Sequence, residues 1–222
     1  MRLILDGLFI KVSGITTEED ALFSIGLGAS AVSFDFAPTP WQISPTHAHD
    51  IIRRLPIGAL SVGVFRNEMP ERIVEIVNTL GLSIVQIDGP CSSTQLESIA
   101  ERVNTIIRSV PSDFDYSSEI PIPQADYLMM PDNDNYEDLV DSLEVFSDDA
   151  LRTPIIVGGG LSDVNVADVV QNYPVWGVDV RSGVEVSPGI KDPARLGAFI
   201  GNAKWAFENS LVARRSEDWF EN

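Results

Sequence analysis

The stretch FIKVSGITTEEDAL, residues 9–22, joins a short apolar run to a glycine turn and then to Thr17 followed by three carboxylates. A threonine ahead of acidic residues caps a helix, so the stretch reads as a strand that ends near Val12 and a helix that begins near Glu18. Such strand-helix units build parallel sheets, and their reactive groups stand at the C-terminal ends of the strands. At that place this unit carries the hydroxyl of Ser13.

Working outward, the same unit recurs. β-Branched or aromatic runs start at residues 8, 30, 59, 83, 104, 126, 154 and 175, and each interval leaves room for one crossover helix. Helical segments fill most intervals: TEEDALFSIGL, SPTHAHDIIRRL with Pro45 in its first turn, EMPERIVEIVNTLG ending on Gly81, STQLESIAERV, SDVNVADVVQN and the long DPARLGAFIGNAKWAFENS. The fifth interval, VPSDFDYSSEIPIPQA, has three prolines and no helical period, so that helix is expected to be short or missing. Eight units in 222 residues predict a single α/β domain, a (β/α)8 TIM barrel over residues 1–210 with a charged C-terminal tail at 211–222. An open doubly wound sheet is the alternative and would use fewer strands.

Composition narrows the partners. A formal charge of −18 opposes nucleic acid and anionic membrane surfaces. The uncharged run between Asp20 and Asp35 is too short to span a bilayer, and Asp6 and Lys11 interrupt any leader-like core, so a cytoplasmic protein is expected. The single Cys91 can form no internal disulfide. His47 and His49 stand two apart on a predicted helix and point to different faces, so no metal is expected.

If the chain is a barrel, few residues need interrogation: those at the strand ends and in the loops that follow. After the seventh strand comes VGGGLSDVN, where Gly158, Gly159 and Gly160 run into a helix with Ser162 as its expected cap. Ser182 and Gly183 follow the eighth. Glycine amides can approach an anion closely, and in barrels these two loops are the usual phosphate site; a tight turn is the other reading of the glycines. The expected ligand is a phosphorylated small molecule. Arg66, Asp179 and Arg181 at strand ends are further candidates for holding it, and Trp41 could stack on a ring.

The blocks KVSGIT (11–16), EDAL (19–22), GASAVSFDF (28–36), ISP (43–45), VGVFRNE (62–68), VQIDG (85–89), GGL (159–161) and VDVRSGVEVSPGIKD (178–192) resemble phosphoribosylanthranilate isomerase, in order, over nearly the whole chain. The resemblance implies a monomeric or homodimeric barrel of tryptophan biosynthesis. It also implies an Amadori rearrangement of an aminoaldose phosphate, without cofactor. In that family an acid opens the ribose ring and a base removes the C2 proton. The family's base is a cysteine where this chain has Ser13, and its acid an aspartate where this chain has Met130. Its carboxylate-holding arginine is matched by Trp41, and a histidine after the fourth strand by Asp88. Asp88 and Asp132, both in loops expected at the active face, are the candidate replacements, with Cys91 as a displaced thiol. The resemblance therefore implies a phosphate-binding relative with impaired or altered isomerisation. The alternative is a non-catalytic binding or regulatory protein.

Overall fold

The computed structural model describes residues 7–110, 124–130, 135–144 and 153–210. Eight strands lie where the apolar runs predict them: β1 (Phe9–Val12), β2 (Ala31–Asp35), β3 (Leu60–Phe65), β4 (Ile84–Ile87), β5 (Ile106–Ser109), β6 (Tyr127–Met129), β7 (Ile155–Val157) and β8 (Gly177–Val180). They pair in parallel in chain order, and β8 returns to β1 with Lys11 opposite Asp179. The ring is closed. That excludes the open sheet and gives a single (β/α)8 barrel.

The helices are α1 (Glu18–Gly26), α2 (Pro45–Ile52), α3 (Pro70–Leu80), α4 (Ser93–Ala100), α5 (Tyr136–Glu144), α6 (Val166–Asn172) and α7 (Pro193–Asn209). Side chains of Thr17, Ser44 and Asp192 cap α1, α2 and α7, and Ser92 with Gln95 forms a reciprocal capping box on α4. Among the described residues no helix lies between β5 and β6; residues 111–123, Asp132 and the tail at 211–222 fall outside them. No described helix is long and apolar enough to cross a membrane.

One expectation is corrected. Ser162 does not cap α6, which starts at Val166. The Asn165 side chain instead folds the preceding residues into a loop, accepting from the Ser162 amide at 2.8 Å and donating to the Gly160 carbonyl at 2.8 Å.

Two apolar cores result from the strand alternation. Outward residues such as Ile10, Val12, Val32 and Phe34 pack with Phe199 and Ile200 of α7 and with the other helices. Inward residues Phe9, Val62, Ile84, Ile107, Tyr127 and Trp176 fill the lower barrel, where Trp176 stacks on Phe9 and Tyr127 at 4.8 and 4.1 Å between centroids. Continuing each strand by two residues changes the chemistry. The inward series runs Phe9, Lys11, Ser13 on β1; Ala31, Ser33, Asp35 on β2; and Ile84, Gln86, Asp88 on β4. The barrel interior is therefore apolar at its base and polar at its mouth.

Candidate active site

The polar mouth encloses a cavity of about 470 Å³, within the usual range for a small-molecule site. Its wall at β8, β1 and β2 is a hydrogen-bonded cluster. Ser13 Oγ donates to Asp179 Oδ1 at 2.6 Å and accepts from Lys11 Nζ at 2.6 Å and from Ser33 Oγ at 3.0 Å. Lys11 Nζ also lies 2.9 Å from Asp179 Oδ1 and is wholly buried. Ser13 thus stands between a cation and a carboxylate, partners that its strand-end position alone does not reveal. Lys11 is legible in retrospect: it is the next inward residue below Ser13.

Asp35 closes this wall. It is 5% exposed, and its oxygens accept from the Ala37 amide at 3.0 Å and the Thr39 hydroxyl at 2.9 Å. Burial pushes its carboxyl up from the usual range, with the charge of Asp88 adding to the rise. Asp88 accepts from Gln86 Nε2 at 2.8 Å and from the Ser109 hydroxyl, and Arg66 comes within 3.9 Å of it. The Gln86 side-chain oxygen is buried without a hydrogen-bond partner among the described residues.

The opposite wall is apolar, formed by Met129 and Met130, the latter 1% exposed. Arg108 turns to the outer face of β5, where Nη1 donates to the Ile87 carbonyl at 2.7 Å. There burial holds the guanidinium below its usual range, against the opposing pull of Cys91 and Asp88. Cys91 lies outside this cavity, and burial pushes its thiol up. His47 is exposed and His49 half-buried, and no described cluster of His, Cys, Asp or Glu could hold a metal.

At the rim, the Arg181 guanidinium lies 4.2 Å from the centroid of the Trp41 ring. The indole Nε1 donates to both oxygens of Glu185, at 3.1 and 3.0 Å. Glu185 opens a hairpin that follows β8, formed by β9 (Glu185–Ser187) and β10 (Ile190–Lys191). Buried Lys191 Nζ bonds Glu185 and the Ser13 carbonyl, both at 2.6 Å. Burial pushes this ammonium below the usual lysine range, against the pull of Glu185. Gly14 is required here: its φ is +70°, and a Cβ would sit 2.7 Å from Trp41 Cδ1.

The phosphate candidates stand beside this cavity: a Cβ on Gly158 would fall 2.4 Å from Met129 Cε and 3.3 Å from Asp179 Cβ. A Cβ on Gly183 would fall 2.0 Å from the Leu161 carbonyl oxygen, so the loops after β7 and β8 touch at that glycine. Gly158, Gly159, Gly160, Ser182 and Gly183 do not line the 470 Å³ cavity. Of the other candidates, Ser13, Arg66, Asp88, Met130, Asp179 and Arg181 line it, Trp41 braces its rim, and Asp132 lies outside the described residues.

Residues 10–202 match the family model for N-(5'-phosphoribosyl)anthranilate (PRA) isomerase. An N-(5'-phosphoribosyl)anthranilate isomerase of Thermotoga maritima is 36% identical over 203 residues, covering 88% of this chain and 98% of that protein. The crystal structure of a phosphoribosyl anthranilate isomerase in complex with reduced 1-(o-carboxyphenylamino)-1-deoxyribulose 5-phosphate superposes with a TM-score of 0.76. It is 33% identical, and the match covers 89% of this chain and 99% of that one. Monomers generated from the dimeric Thermotoga maritima enzyme give 0.74 at 32% identity, with 89% and 98% covered.

Proposed function

The chain belongs to the N-(5'-phosphoribosyl)anthranilate isomerase family, and we propose that it binds a phosphorylated sugar derivative at its barrel mouth and isomerises it by altered proton transfers. The observation that carries this reading is the pairing of Ser13 with Asp179 opposite a buried methionine wall. Ser13 already donates its hydrogen to a carboxylate and accepts two hydrogen bonds, so it is no standing base. Methionine has no proton to give. If acid and base each contribute on the order of 10² to 10⁴, the ancestral pair accounts for most of the rate, and what remains must come from other groups.

The ligand side of the proposal rests on the contact between the loops after β7 and β8 and on the guanidinium groups of Arg66 and Arg181 on the cavity wall. The test is turnover of N-(5-phosphoribosyl)anthranilate, followed by fluorescence, for the purified protein beside a Ser13→Cys, Met130→Asp double variant. The expected result is a slow wild type and a gain of at least about tenfold in the double variant. A wild type at an ordinary rate of roughly 1 to 10³ s⁻¹ with no gain in the variant would overturn the expected impairment and require that other groups carry both proton transfers. A second reading, a non-catalytic binding or regulatory protein, is favoured by the methionine wall. Saturable binding of a phosphosugar with no turnover in the wild type would select it.

A further inference from the structure

We infer that the proton transfers have moved to the polar wall, with Asp179 taking the C2 proton of the substrate and Asp35 supplying the proton that opens its ring. This rests on the isomerase reading above and names the groups that perform it.

Among the described residues three carboxylates line the cavity, and their surroundings differ. Asp179 points inward from β8, directly across from Lys11. Among the described residues its hydrogen bonds and ion pair all fall on Oδ1, from Ser13 and Lys11, which leaves Oδ2 as the acceptor for a proton. Asp35 points inward from β2. Since β8, β1 and β2 are consecutive in the ring, the two carboxylates flank Ser13, and Ser33 bridges β2 to Ser13. No ion pair to Asp35 occurs among the described residues, whereas Asp88 has Gln86, Ser109 and Arg66 around it. Burial beside Asp88 favours the protonated form of Asp35, the form an acid needs. Lys11 and Ser13 are positioning residues: they hold Asp179, and the Ser13 hydroxyl, already bonded to that carboxylate and to the ammonium, takes no proton itself.

The steps balance. The Asp35 proton passes to the ring oxygen as the C1–O bond breaks, and the nitrogen lone pair forms C1=N. Asp179 then takes the C2 proton; the C2–H electron pair becomes C1=C2, and the C1=N pair returns to nitrogen, giving the enolamine. The proton on Asp179 goes to C1 while the C2 hydroxyl becomes a carbonyl and returns its proton to Asp35. C2 is oxidised as C1 is reduced within one molecule, and both carboxyl groups finish as they began.

The experiment compares wild type with Asp179→Asn, Asp179→Glu, Asp35→Asn and Asp88→Asn. It measures kcat, KM, loss of a deuterium label from substrate C2, and binding of reduced 1-(o-carboxyphenylamino)-1-deoxyribulose 5-phosphate by calorimetry. Asp179→Asn and Asp35→Asn are expected to lower kcat by at least about 10²-fold while KM and analogue affinity change by less than about threefold. Asp179→Asn should also stop label loss. Adding Ser13→Cys to Asp179→Asn should restore part of the rate by placing a thiol beside Lys11. Asp179→Glu keeps the charge opposite Lys11, so a kcat loss in that folded variant separates proton transfer from stability. Retention of more than about a tenth of kcat in Asp179→Asn overturns the base, and a greater loss in Asp88→Asn than in Asp35→Asn overturns the acid. A wild type that binds the analogue without turnover overturns this inference and leaves the ligand reading standing. One that does neither overturns both.

Discussion

Strands β8, β1 and β2 present Asp179, Ser13, Ser33 and Asp35 to the cavity with Lys11 buried behind them, while β6 presents Met129 and runs on into Met130. The two walls arise from one alternation of inward and outward residues. The first is a network in which Lys11, Ser13, Ser33 and Asp179 answer one another, so exchanging one member leaves its partners short of a contact. The second is held by dispersion and shape, and methionine adapts to its neighbours. Any inherited chemistry on the methionine side could be lost with little damage to the fold. On the network side the polar groups are tied to stability, which keeps them available for new use.

The contrast predicts its own tests. The largest effect belongs to Lys11→Met, which leaves Asp179 buried opposite no cation. It should cost about 3 to 5 kcal/mol in chemical denaturation, and adding Asp179→Leu should recover much of that loss. A cost under about 1 kcal/mol would mean the wall is far wetter than the burial of Lys11 implies. On the other wall, Met130→Leu conserves volume and should cost less than about 1.5 kcal/mol by the same measurement. A loss as great as that from Lys11→Met would abolish the distinction between the walls.

The smallest effect is a slope. Because the carboxyl of Asp35 is raised in the folded protein, its stabilising contribution is present below the unfolded value of 3.8 and lost as pH rises through the raised folded value. The amide introduced by Asp35→Asn does not titrate. The Tm of that variant relative to wild type should therefore climb with pH across the window and then level off. A relative Tm that falls with pH over the same range would show that Asp35 is held as a stabilised anion.

The barrel was legible because a parallel sheet buried on both faces writes its strands as apolar runs at regular intervals. The site was legible only at its surface layer. Ser13, Asp88, Asp179 and Arg181 stand at strand ends, where a barrel directs attention, and they do line the cavity. Asp35 stands at such an end too, but its role depends on its burial and on the neighbouring Asp88, which its place in the sequence does not show. Lys11 and Gln86 lie one inward step deeper, and finding them requires counting down each strand by two from its end. Glu185 and Lys191 lie six residues apart, and only the hairpin between them shows that they pair and that one of them grips the Ser13 carbonyl. Ser162 failed as a cap because the Asn165 side chain takes the Ser162 amide and the Gly160 carbonyl, while Ser162 enters the following turn through its backbone carbonyl, which accepts from the Val166 amide at 3.2 Å.

The bond between Ser13 and Asp179 spans 166 residues, and the one from Lys191 to the Ser13 carbonyl spans 178. During synthesis at roughly 5 to 20 residues per second, the first strand waits on the order of ten to thirty seconds before its partners leave the ribosome. Until then Lys11 has no counter-charge and the first strand no neighbour on one side. A nascent chain cannot bury Lys11 at low cost before the last strand arrives, so the ion pair that shapes the site also delays commitment to a closed ring until the chain is nearly whole.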